Sequence, residues 1–202
     1  MKTDRFYEKD GVKYPSVTTI TGLLAKPALY GWYGAKGNDF CRQVINDSTA
    51  DGSEVHAYID NFFSGKEHIF SRQNEKITKA VNNFRKFVDH YQPKRIHGEH
   101  TVFHDSSPKY AGTLDWVGEI GGKRILIDWK TSKDIYQPEY ELQGNAYANC
   151  EPVDEIWVVG VSKDKDFKIR RDVWKFKPSA DSLVAFLSLA SVWYWKHNRK
   201  GK

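Results

Sequence analysis

A glycine pair, Gly121-Gly122, set between the runs GTLDWVGEI and KRILIDWKT, restricts this chain more than any other feature of its sequence. Two adjacent residues tolerant of positive φ between β-prone runs specify a tight hairpin, and a symmetric hairpin dictates which residues face each other. Centred on the glycines, the turn sets Asp115 against Asp128 and Thr113 against Lys130. Side-chain alternation puts Lys130 on the same face as Asp128, so one face carries two acids and a lysine. The other face carries Leu114, Trp116, Ile120, Ile125, Ile127 and Trp129, an apolar row suited to packing under helices.

Opposed carboxylates on neighbouring strands stand about 5 Å apart and repel. A divalent cation offsets that repulsion: Mg²⁺ takes one or two carboxylates together with water and phosphate oxygens, and it acidifies bound water. The ammonium of Lys130 is placed to orient that water or to stabilise charge developing on a phosphate. A surface salt-bridge ladder with Lys130 and Arg124 is the plainer reading, but the flanking VGEI and RILI are too apolar for an exposed ribbon.

Around this hairpin the pattern predicts one α/β domain. Asp10-Gly11 marks an N-terminal ribbon. From Ser16, a helix N-cap, short helices divided by Gly22, Pro27, Gly31, Gly34 and Gly37 are expected. Val55, Ile59, Phe62 and Phe63 recur at helical spacing between Asp51 and Phe63, and Ile77, Val81, Phe84, Phe87 and Val88 do so over residues 73–90. Beyond Pro93 three strands are expected, over 94–104, 109–120 and 121–131. A helix opened by Pro138 follows, then strands over 155–162 and 167–176, and a last helix from Ser179 to Trp195. The expected architecture is a single domain with a central mixed β-sheet flanked by helices: a hairpin and helical elaboration over 1–50, a core over 51–195, and a disordered basic tail over 196–202.

Composition narrows the function classes. The 202 residues hold 31 Lys and Arg against 26 Asp and Glu, a net charge of +5 that favours a polyanionic partner. Two cysteines, Cys41 and Cys150, are too few for a disulfide framework, a zinc ribbon or a four-thiolate iron-sulfur cluster. No phosphate-binding G-x-x-x-x-G-K-[ST] loop is present, so neither ATP nor a built-in helicase motor is expected. No apolar run is long enough to span a membrane and the opening residues lack a secretion signal, so a cytoplasmic protein without membrane partners is expected.

Four short motifs occur in order: Gly52-Ser-Glu-Val-His56, Gly112-Thr-Leu-Asp115, Asp128-Trp-Lys130 at the end of an apolar strand, and Gln143-Gly-Asn-Ala-Tyr147. Together they resemble the PD-(D/E)XK nuclease superfamily and its RecB-like exonuclease branch. The opening YPSVTTI is similar to phage-encoded and mitochondrial members of that branch. The resemblance implies a restriction-endonuclease-like core. It also implies an Mg²⁺- or Mn²⁺-dependent deoxyribonuclease acting as an exonuclease on single-stranded DNA or DNA ends, in the host cytoplasm if phage-encoded. Asp115, Asp128, His56 and the main-chain carbonyl of Trp129 would hold the metal, with Lys130 the catalytic lysine. Gln143 and Tyr147, one helical turn apart, would reach the DNA backbone or the lysine's surroundings, Thr131 would steady the strand end, and Glu99 would be an additional acid on the preceding strand. Unwinding would fall to a helicase, recombination or replication partner. A structure-selective or sequence-specific endonuclease, or a non-catalytic nucleic-acid-binding module, are the alternatives on the same fold.

Overall fold

The structure, a computed structural model, describes residues 4–135 and 137–199. Strands β1 (Phe6–Lys9) and β2 (Val12–Pro15) form the N-terminal ribbon. It turns on Asp10 and Gly11, whose φ of 52° and 72° are those a two-residue hairpin with right-handed twist demands. Ser16 caps α1 (Val17–Thr21), its Oγ accepting the Thr19 N–H at 2.9 Å. Helix α2 (Pro27–Lys36) begins at Pro27 and contains Gly31 and Gly34, so those glycines do not divide the chain as expected. The break comes at Gly37, with φ 82°. Helix α3 (Asn38–Phe63) is then continuous, whereas the apolar spacing predicted a helix only from Asp51. Before Asp51 its only buried residue is Cys41, and Phe40, Val44 and Ile45, though at helical spacing, stay exposed. Helix α4 (Glu75–Tyr91) is capped by Asn74, which accepts the Ile77 N–H at 2.9 Å.

The three strands expected after Pro93 are five: β3 (Lys94–His97), β4 (His100–His104), β5 (Tyr110–Leu114), β6 (Trp116–Ile120) and β7 (Lys123–Lys130). Helix α5 (Gln137–Ala148) and β8 (Glu155–Gly160) follow. The expected strand over 167–176 is a helical turn, α6 (Ile169–Asp172), and a short strand, β9 (Val173–Phe176). Asp172 closes that turn by accepting the Lys168 N–H at 2.7 Å and Arg171 Nε at 2.6 Å. Helix α7 (Ala180–Asn198) runs past the predicted end at Trp195, and its His197 lies 2.8 Å from Asp4. Residues 200–202 of the expected tail lie outside the described residues. No helix among the described residues is long and apolar enough to cross a membrane.

The main sheet has strand order β3-β6-β7-β8-β9, with β7 and β8 parallel and the other pairs antiparallel. This is a mixed α/β domain with helices on both faces of the sheet. On one face Trp116, Ile120, Ile125, Ile127 and Trp129 pack under Val55 and Ile59 of α3 and Phe84 and Phe87 of α4. On the other, Val117, Leu126 and Ile156 pack against Ile20 of α1, Tyr147 of α5 and Phe186 of α7. Burial of these two layers, at ~25 cal/mol per Å² of apolar surface, drives the fold. The β6–β7 register, with Trp116 against Ile127 and Ile120 against Lys123, is the one the glycine turn predicts.

Candidate active site

That register stops at Trp116. Asp115 belongs to no strand, and β5 leaves the main sheet to pair with β4 in a separate ribbon, Thr113 lying against Thr101. Thr113 is therefore not paired with Lys130, and Leu114 joins the cluster of Val117 and Leu126, the face opposite the one alternation assigned to it. A main-chain kink at Asp115 shifts the alternation by one residue. Its side chain replaces the missing strand partner: Oδ2 accepts the Trp129 N–H at 2.9 Å.

The kink opens a cavity of about 310 Å³ at the end of β7. His56, Asp115, Asp128, Trp129, Lys130, Thr131, Gln143 and Tyr147 all line it, so all the candidate site residues but one converge. Asp128 and Lys130 share the β7 face of Leu126, which α5 covers; Lys130 Nζ lies 2.6 Å from Asp128 Oδ2. Gln143 Nε2 donates to Asp128 Oδ1 at 3.1 Å, and its Oε1 accepts from Lys130 Nζ at 3.4 Å, so one amide orients both charged groups. The Tyr147 hydroxyl accepts from the same Nε2 at 3.4 Å. His56, in the C-terminal half of α3, stands with Nδ1 3.5 Å from Asp115 Oδ1. The Trp129 indole is buried against Phe84 and Phe87, so this residue meets the cavity with its main chain.

The exception is Glu99, which is exposed in the bend between β3 and β4. The strand expected to carry it breaks at Gly98, where a Cβ would come within 2.1 Å of Arg95 Nη2 and Asp60 Oδ1. Arg95 and Asp60 are ion-paired at 2.8 Å across that gap.

Two motif glycines acquire a steric reason. A Cβ at Gly52 would sit 3.1 Å from Thr131 Oγ1, so the glycine lets α3 approach the end of β7 and bring His56, one turn on, over the cavity. A Cβ at Gly112 would lie 2.5 Å from Tyr147 Cε1, where the ring packs on β5.

The four ionisable groups do not balance. Burial works against the charge of Asp115, yet His56, Lys130 and the Trp129 N–H hold its carboxyl below the usual range. Burial pushes the Asp128 carboxyl up, and the like charge of Asp115 adds to this against the pull of Lys130. Burial opposes the charged forms of Lys130 and His56, but the carboxylates raise both. The Asp128 Oδ2 is buried and receives no hydrogen bond of acceptable angle, the ammonium being close but poorly directed. Two carboxylates sharing one cavity wall, with an imidazole nitrogen beside Asp115, fit a divalent cation.

No family model matches the sequence, and no curated protein matches it significantly. Its fold is similar to solved structures. An alkaline exonuclease from Laribacter hongkongensis (LHK-Exo) is 12% identical with a TM-score of 0.49, over 93% of this chain and 89% of that one. The same enzyme in complex with dAMP aligns with a TM-score of 0.48 at 12% identity, over 91% of this chain and 86% of the other. The protein SSO0001 is 14% identical with a TM-score of 0.48, over 92% of this chain and 76% of that one.

Other cavity residues were not among the sequence candidates. Tyr140 lies under Lys130, its ring centroid 4.3 Å from Nζ. It precedes Gln143 by three positions on α5, a spacing that could have revealed it. Arg5, Tyr7, Ser16 and Thr18 complete the rim from the N-terminal ribbon and α1, with the Tyr7 hydroxyl 2.9 Å from Thr113 Oγ1. Arg5 and Tyr7 lie some hundred residues before Asp115 and Asp128 in sequence, and no local pattern signals their arrival; Ser16 and Thr18 fall within the YPSVTTI run.

Proposed function

We propose that the chain is a metal-dependent nuclease of the PD-(D/E)XK type that hydrolyses DNA phosphodiester bonds, acting as an exonuclease on single strands or DNA ends. One observation carries the reading: His56, Asp115, Asp128 and Lys130, drawn from three separate segments, meet on the wall of one open cavity. Asp115, Asp128, His56 and the Trp129 main-chain carbonyl would hold Mg²⁺ or Mn²⁺. Bound there, the cation supplies Lewis acidity towards a phosphoryl oxygen and lowers the pKa of water.

The chain's own residues do the rest. Lys130 keeps its proton and presents an ammonium to charge developing on the phosphate. Gln143 bonds to both Asp128 and Lys130 and so positions one relative to the other. Tyr147, whose hydroxyl burial keeps protonated, backs that amide. Arg5 on the rim offers a fork of donors matched to a backbone phosphate.

The test compares a labelled linear single-stranded oligonucleotide with a closed single-stranded circle, in Mg²⁺, Mn²⁺ and EDTA. The expected result is metal-dependent loss of the linear strand with the circle intact, abolished in Asp128→Asn and Lys130→Ala. Cutting of the circle would make the enzyme an endonuclease, and undiminished cleavage by Asp128→Asn would remove the site assignment.

A further inference from the structure

Away from the cavity, a second constellation joins the end of β3, the start of β4 and the turn after α5. His97 Nε2 is 3.2 Å from Glu151 Oε1, and His100 Nε2 is 3.7 Å from Glu151 Oε2. One ligand atom from each of the three residues lies within 4.8 Å of the other two. Ligands at ~2.0 to 2.1 Å from a tetrahedral zinc ion stand ~3.4 Å from one another, so small rotations would close this trio on a single ion.

We propose that His97, His100 and Glu151 form a zinc site distinct from the Asp115–Asp128 centre.

The hydrogen bonding around the trio points to a cation. His100 Nδ1 lies 3.1 Å from the Gly98 carbonyl oxygen, which can only accept, so Nδ1 carries the proton. In the neutral ring, Nε2 then presents a lone pair to a carboxylate oxygen. Two acceptors face each other, an arrangement that a cation between them resolves. A main-chain carbonyl on the far nitrogen is also the usual orienting partner of a metal-bound histidine. The rings of His97 and His100 have centroids 4.3 Å apart, so both reach the same carboxylate.

Arg124 and His97 both face Glu151 Oε1, while among the described residues Oε2 faces only His100 across 3.7 Å, a gap an ion can fill. Two imidazoles and one carboxylate suit zinc better than magnesium, and three protein ligands leave a fourth position open to water. None of the three residues lines the nuclease cavity. His100 pairs with Leu114, the residue before Asp115, so an ion here would pin the ribbon at the point where it leaves the main sheet.

Zinc uptake by the full chain, measured by equilibrium dialysis with metal analysis, tests the site. The double variant Asp115→Asn/Asp128→Asn, which removes the other centre, should retain one equivalent of zinc. Adding His97→Gln/His100→Gln should abolish it, whereas adding His104→Gln, a histidine outside the trio, should not. X-ray absorption of the zinc-loaded Asp115→Asn/Asp128→Asn protein needs no change at the trio and should show two imidazole ligands. Failure of that protein to take up zinc, equal loss with His104→Gln, or a zinc shell with fewer than two imidazoles would overturn the proposal. Each of these outcomes is independent of whether the chain cleaves DNA.

Discussion

The Asp115 carboxylate accepts the main-chain N–H of Trp129 at 2.9 Å, and this one bond both ends a strand pairing and aims a charge. On the turn side of it β6 and β7 pair residue for residue; beyond it β5 turns to β4. The N–H that β5 would otherwise have satisfied is taken by Oδ2, and Oδ1 is left facing His56. The geometry of the cavity and the topology of the sheet therefore depend on the same side chain.

Asp115→Asn and Asp115→Ala should consequently differ. The amide oxygen of Asn can still accept the Trp129 N–H, so Asp115→Asn should unfold in urea near the wild-type midpoint while losing metal-dependent cleavage. Asp115→Ala should lose cleavage and also about 1–3 kcal/mol of stability, because a buried donor is left without a partner. Equal stability of the two variants in urea titrations would detach the bond from the fold.

His56 offers a nitrogen donor beside Asp115. Imidazole suits Mn²⁺ better than the harder Mg²⁺, so His56→Ala should reduce Mn²⁺-supported cleavage more than Mg²⁺-supported cleavage, by roughly tenfold or more in apparent metal affinity. His56→Glu should recover Mg²⁺ activity. Metal titrations of cleavage rate read both effects, and an unchanged Mn²⁺ requirement in His56→Ala would remove the residue from the metal's surroundings.

Gly112→Ala should cost about 1–3 kcal/mol, since its Cβ would lie 2.5 Å from Tyr147 Cε1 and neither the strand nor the buried ring has space to yield. Gly112→Ala combined with Tyr147→Leu should recover part of that loss in thermal denaturation. If Gly112→Ala alone is as stable as wild type, β5 and α5 are not in the contact described.

Glu54 makes stability depend on pH. Its buried carboxylate accepts the Ser71 N–H at 2.9 Å and a bond from the Ser71 hydroxyl, and lies 3.0 Å from His68 Nε2; the Ser71 hydroxyl bond is the main cause holding its pKa below the ordinary 4.5. A carboxyl with a lowered folded-state pKa contributes stability that is present above the unfolded value and lost as pH falls through the folded one. The contribution should therefore be complete at neutral pH and fade below 4.5. Urea midpoints measured from pH 7 down to about pH 3 should fall less steeply in Glu54→Gln, which starts lower.

DNA binding should outlive catalysis in Asp128→Asn and weaken steeply with salt, because phosphate contacts by Lys and Arg release counterions. Fluorescence anisotropy between about 50 and 200 mM salt gives the slope, and a flat profile would contradict an electrostatic groove.

Relationships between residues close in the chain are legible in the sequence. The Asp10-Gly11 and Gly121-Gly122 turns, the Ser16 cap, and the shared face of Gln143 and Tyr147 follow from bond geometry over a few residues. The β6–β7 register can be counted outward from its glycines because a two-residue turn leaves the strands no freedom to slide. The same counting fails at Asp115, where Thr113 and Leu114 leave their expected partners for β4 and the opposite core.

The order of motifs indicates which residues meet, but Gly52 has to admit α3 to Thr131 before His56 can reach the acids. The gathering of Arg5 and Tyr7 at the cavity rim, and of His97, His100 and Glu151 at a separate corner, has no local cause at all. A hairpin register is set by covalent connection across two residues, which a sequence states outright. The parting of a strand, or the meeting of side chains a hundred residues apart, is decided by which distant surfaces bury one another best, and that competition is settled only when the whole chain packs.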